Sequence, residues 1–298
     1  HVSFYAGLVH ERLLHYSKAA EAYAEVPSEA EIFQDAQLRR ASCLSMAGDH
    51  VASLALFQRA LAEKPDQPLL TAGYSRALER SGAKREAENI LSSATQRQSS
   101  PELTTALAEL YQRTDRSRQA VALLSEALEK TPEDQILLYA LGAAYERSGD
   151  FEHAIAQMRL LLKVNPEHAA AMNFIGYSLA EKSRDLDEAE RLVKRALELE
   201  PESGSFLDSL GWVYFRRGEY RRAVEALEQA VELDPEEPLI IEHLGDAYRR
   251  TGKKAQAAQA YRRALKALTA VPELAEQKGQ KQGLERKLKM LSSASSGR

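Results

Sequence analysis

Apolar residues along this chain recur three and four positions apart, the spacing that lines one side of an α-helix. Leu207, Leu210, Gly211 and Tyr214 make one such stripe, and Ala223, Leu227 and Ala230 make a second soon after. Gly218 stands between them, where the first helix ends and the chain turns. Pro235 follows the second stripe, where a missing N–H does least harm. The pattern predicts two amphipathic helices joined by a tight turn. Small residues at their crossing predict helix axes about 8–10 Å apart.

The same set returns along the chain. Leu244-Gly245, Tyr248, Ala257, Tyr261 and Ala264 form the next copy. Leu141-Gly142, Tyr145, Ala154, Met158, Leu161 and Pro166 form an earlier one, preceded by Leu107-Ala108, Tyr111, Ala120, Leu124, Ala127 and Pro132. Weaker copies surround Gly7, Gly48 and Gly82, and Gly149 and Gly252 mark turns like Gly218. The copy with Ile175-Gly176, Ala189, Val193, Ala196 and Pro201 has one extra residue, placed in its turn between Lys182 and Asp187. The units fall at about 1–33, 34–67, 68–100, 101–134, 135–168, 169–203, 204–237 and 238–271. A hairpin this short cannot bury both stripes alone, so units must stack and the ends need caps. Beyond the break at Pro272, residues 272–291 place Leu284, Leu288 and Leu291 on one face as a capping helix; 292–298 are small and polar, as in a disordered tail.

These recurring small, aromatic, alanine and proline positions resemble the tetratricopeptide repeat family. The resemblance implies an all-α fold, a right-handed α-solenoid of about eight repeats, and a concave groove lined by the first helix of each pair. Groove positions are those the packing stripe leaves over. In the last three repeats they are Asn173 and Tyr177, then Asp208, Trp212 and Phe215, then Glu242, Asp246 and Arg249. Asn173, Asp208 and Glu242 are expected to form a polar ladder, with Tyr177, Trp212 and Asp246 one turn along. Rigid aromatic rings beside fixed polar groups suit peptide capture. Trp212 either faces the guest or packs between helices as core. The middle repeats offer Arg76, Glu109, Gln112, Tyr139 and Glu146 at like positions. The lysines and asparagines with which related domains grip a carboxyl terminus are not found.

Composition narrows the chemistry. A formal charge of −4 argues against nucleic acid as the main partner, although Arg216-Arg217, Arg221-Arg222, Arg249-Arg250 and Arg262-Arg263 are paired bases. No apolar run is long enough to span a bilayer. One cysteine, Cys43, excludes an internal disulfide and is expected to be half-buried and structural. His10 and His15, read on one continuous helix, point about 140° apart and share no ligand. His243 stands near Asp208, Glu242 and Asp246, read here as a solvated acidic patch. No phosphate loop, catalytic triad, dinucleotide motif or metal motif is found, so no enzyme activity and no cofactor are expected.

Residues Asn173 to Tyr177 and Leu207 to Tyr214 resemble a bacterial group of multi-repeat proteins. That group includes outer-membrane lipoproteins acting as adaptors for carboxy-terminal processing proteases. The resemblance implies a non-catalytic scaffold with a protease or its substrates as partner, at the periplasmic face of the outer membrane, with a lipid anchor upstream of His1; the cytoplasm is the alternative. The competing reading is a structural protein that self-associates within an envelope machine.

Overall fold

The computed structural model describes residues 2–270 and 275–293, and there it holds seventeen α-helices and no strand. It divides into two compact units, 1–165 and 166–298. The first contains α1 (Val2–Arg12), α2 (Tyr16–Ala24), α3 (Phe33–Ala47), α4 (His50–Glu63), α5 (Pro68–Arg80), α6 (Lys84–Arg97), α7 (Pro101–Arg113), α8 (Ser117–Lys130), α9 (Gln135–Arg147) and α10 (Phe151–Val164). The second contains α11 (Ala169–Glu181), α12 (Leu186–Leu199), α13 (Gly204–Arg217), α14 (Tyr220–Leu233), α15 (Pro238–Arg250), α16 (Lys254–Ala270) and α17 (Ala275–Ser293). Within each unit, successive helices pack as antiparallel hairpins, and each first helix also touches the first helix of the next hairpin.

Turn chemistry explains the hairpins. Gly218 caps α13 at φ +80°, and Gly48, Gly82, Gly149 and Gly252 take the same left-handed backbone after α3, α5, α9 and α15. Hairpins lacking that glycine put Leu14, Asp115 or Ser183 there instead, at φ 54°, 59° and 51°. An L side chain in this region is strained by about 1–2 kcal/mol. The α11–α12 turn needs a second such residue, Asp185, which is where the extra residue of that repeat goes. Because α1 ends at Arg12 and Leu14 reverses the chain, His10 lies on α1 and His15 at the N-cap of α2, with rings 6.0 Å apart. The expectation of divergent histidines on one helix is therefore corrected.

The second-helix stripe makes the core. Tyr23, Phe57, Leu91, Leu124 and Met158 in the first unit, and Val193, Leu227 and Tyr261 in the second, are all buried at the same place in their hairpins. Each contributes about 1.5–3 kcal/mol through burial. Facing them are the small residues of the crossing. A Cβ on Gly245 would lie 2.5 Å from Tyr261 Cε1, and one on Gly211 2.6 Å from Leu227 Cγ.

Helix α17 closes the second unit. Leu284 and Leu291 are buried, and Leu288 packs on the same cluster as Tyr248, Tyr261 and Leu268. Residues 292 and 293, expected in an irregular tail, continue the helix by half a turn. Pro272 and residues 294–298 lie outside the described residues.

Candidate functional site

Helices α11, α13 and α15 lie side by side, with α13 touching both neighbours. They bring the expected groove residues together, but not in the expected rungs. Asp208 on α13 accepts from Nδ1 of His243 on α15 at 2.8 Å, and both side chains are buried. Glu242, one residue away and so about 100° around the helix, turns instead to α17. There it accepts from Gln280 Nε2 at 2.9 Å and Lys287 Nζ at 2.7 Å. Asn173 is half-buried, and its Oδ1 accepts no hydrogen bond from the described residues. The polar ladder of Asn173, Asp208 and Glu242 is thus replaced by an Asp208–His243 bridge.

Trp212 is the centre of the arrangement. It lies flat between Phe215, at 4.8 Å and 5°, and His243, at 4.1 Å and 16°. Its indole N–H donates to Glu181 at the end of α11, and only 8% of its surface is exposed. Of the two readings left open, packing describes Trp212 as it sits. Surface is supplied by its neighbours: Tyr177, 6.5 Å from the His243 ring, and Phe215 are both half-buried. Phe215 meets Tyr220 edge-on at 5.4 Å. Arg216 stands 5.7 Å from the Trp212 ring and Arg250 5.8 Å from Phe215, both within cation–π range.

Asp246 is also buried, against the expected exposed stripe. It accepts from Tyr261 O–H at 2.7 Å and from Lys287 Nζ at 2.6 Å. Arg249 remains exposed. The supposed solvated acidic patch is a closed, compensated one. Burial presses the His243 imidazole towards neutrality, but the field of Asp208, which also hydrogen-bonds it, and of Asp246 and Glu242 prevails and raises its pKa. Burial and then Asp246 push the Tyr261 phenol upward, so it stays a donor. No group of three or more histidine, cysteine or carboxylate side chains suited to a metal occurs among the described residues.

Residues 5–68 and 209–272 match the family described as tetratricopeptide repeat, and 46–172 match the N-terminal tetratricopeptide region described for Psidin. The chain is a tetratricopeptide-repeat protein. It is 34% identical over 94 residues to the TPR repeat-containing protein PA4667 of Pseudomonas aeruginosa, covering 32% of this chain and 16% of that one. It thus spans about a sixth of the length of that relative. A tetratricopeptide repeat protein from Parabacteroides merdae superposes with a TM-score of 0.62 at 19% identity, over 87% of this chain and 98% of that one. A chain of the APC/C Cut9–Hcn1 hetero-tetramer gives 0.66 at 16% identity, over 95% of this chain and 54% of that one. At such identities the likeness shows the fold alone.

The tetratricopeptide protein hides several site residues from sequence reading. His243 falls on the face of α15 turned to α13, and its signal was the carboxylate one repeat earlier at Asp208. Lys287 belongs to the capping helix, outside the repeat register, and gave no periodic signal. The basic pairs are partly spent internally. Arg217 pairs with Glu190 and Asp187, and Arg222 pairs with Glu190 at 3.3 Å. In the first unit, Arg76 pairs with Glu109, and Arg113 with Glu79 at 2.8 Å. Cys43 is fully buried rather than half-buried, its Sγ 3.2 Å from Glu11 Oε1; burial and that carboxylate push the thiol pKa up.

Proposed function

We propose that the α11–α13–α15 face captures an extended segment of a partner protein, and that the chain works as a non-catalytic adaptor. The carrying observation is the aromatic slab of Trp212, Phe215 and His243, held rigid from beneath by Asp208 and Glu181, with Tyr177 and Phe215 at its surface. A preformed surface orders little on binding, so more of the contact energy appears as affinity. The tetratricopeptide fold, whose members generally serve as protein-interaction scaffolds, supports this reading. The double variant Tyr177→Ala/Phe215→Ala tests it. It should lose partners recovered from envelope and cytosolic extracts while keeping its helical circular dichroism. Undiminished recovery removes the face from consideration.

A narrower form of the proposal is an adaptor for a carboxy-terminal processing protease at the periplasmic face of the outer membrane. It is supported by the resemblance of Asn173–Tyr177 and Leu207–Tyr214 to that group. Co-purification of such a protease with the chain tests it. One observation favours self-association as a second reading. Val2, Tyr5 and Val9 form an exposed apolar stripe on α1, Val2 being 86% exposed. Light scattering decides, since a monomer at high concentration disposes of this alternative.

A further inference from the structure

Charge on the α11–α13–α15 face is compensated on one side only. The three helices carry four carboxylates, and each has an internal donor. Asp208 has His243, Glu181 has the Trp212 indole, Glu242 has Gln280 and Lys287, and Asp246 has Tyr261 and Lys287. Their arginines are treated differently. Arg217 alone is paired with carboxylates, on α12. Arg216 donates through Nε and Nη2 to the Ser183 hydroxyl at 2.9 and 2.7 Å, and Arg250 donates to the Tyr220 hydroxyl. Among the described residues, two of these guanidiniums therefore rest on neutral oxygens.

A cation in the last turn of a helix is favoured by the dipole, which accounts for the charge there but not for the missing acids. Guanidinium is a rigid five-donor fork matched to a carboxylate, and a hydroxyl uses only part of it. Arg216 and Arg250 also border the aromatic slab, one beside Trp212 and the other beside Phe215. Anionic groups and an apolar side chain could be held there at once.

We propose that the segment captured by this face is acidic. It places an apolar or aromatic side chain on Phe215 and Tyr177, and its carboxylates on Arg216 and Arg250. This rests on the adaptor reading above and names its partner class. Opposite charge across the contact sets register and speeds encounter.

A displayed library of random peptides, selected on the purified chain, supplies the probes; recovered peptides are fluorescein-labelled and titrated by anisotropy. The expected result is enrichment of Asp and Glu beside an apolar residue. Affinity should fall at least about tenfold with Arg216→Gln or Arg250→Gln, and stay within about twofold with Arg221→Gln, an exposed arginine on α14. Raising salt should weaken these peptides as charges are screened. Arg216→Lys, which keeps the charge without the fork, should fall between wild type and Arg216→Gln and guards against a folding defect. Recovery of neutral or lysine-rich peptides that respond to Phe215→Ala but not to the arginine variants overturns the acidic assignment and leaves the adaptor reading standing. Failure to enrich any peptide sinks both.

Discussion

Replacing Asp208 tests whether the floor of the candidate site is a charged pair. Asp208 is 5% exposed and His243 equally buried, their contact is 2.8 Å, and Asp246 and Glu242 add negative field while Lys287 neutralises part of it. His243 has a folded pKa raised above its ordinary 6.5. Its contribution is therefore fully present below about pH 6 and is lost as pH rises through the folded value. Asp208→Asn keeps shape and an acceptor for Nδ1–H but removes the charge. It should cost about 1–3 kcal/mol at pH 6, shrinking as pH rises through the folded value of His243 and the imidazole loses its charge. Asp208→Ala also leaves a buried donor without a partner and opens a void, so it should cost about 3–5 kcal/mol at low pH and stay costly at high pH. Urea unfolding followed by emission from Trp212, the one tryptophan of the chain, reads the local transition of the second unit. An Asp208→Asn penalty that stays constant as pH rises across the whole range in which the chain folds would refute the charged pair.

Three further outcomes follow from the packing. Gly245→Ala drives a methyl to 2.5 Å from the buried Tyr261 ring and should destabilise the second unit by about 1–3 kcal/mol, seen as a lower urea midpoint. Lys287→Ala strips a donor from both Glu242 and Asp246, so hydrogen exchange in α17 should accelerate by at least about tenfold; unchanged exchange would show that the leucines alone hold the helix. Cys43, buried with its thiol pKa pushed up, should resist an aromatic disulfide reagent at pH 8 in the native chain and react at once in urea.

How much of this was legible depended on whether a residue acts inside one repeat or between repeats. Gly48, Gly82, Gly149, Gly218 and Gly252 announce their turns because only backbone conformation is at stake, and all five take the left-handed region. The core stripe was equally open, since burial of Tyr23 or Leu227 follows from helical spacing. Leu14, Asp115 and Ser183 occupy the same turn without a residue type that signals it. The site failed differently. Side chains one position apart on a helix diverge by about 100°, so repeat register alone could not say whether Glu242 or His243 would meet Asp208. Nor does register reach α17, whose Lys287 and Gln280 decide where Glu242 turns.

That failure shifts the candidate contact outward by one layer. Spacing left Trp212 open between meeting a guest and packing as core, because a lone tryptophan off the packing stripe looks spare. In place, its two faces are taken by Phe215 and His243 and its N–H by Glu181, so a guest would have to break all three contacts to use it. Phe215 and Tyr177 ask no such sacrifice. Substituting Trp212 would disturb binding and folding together, whereas substituting Phe215 or Tyr177 trims the surface above an intact floor. Rigid floor and separable surface are what let the binding hypothesis be tested apart from stability: a loss of capture in Phe215→Ala with the urea midpoint preserved assigns the contact to the surface layer, and a matched loss of both returns it to the core.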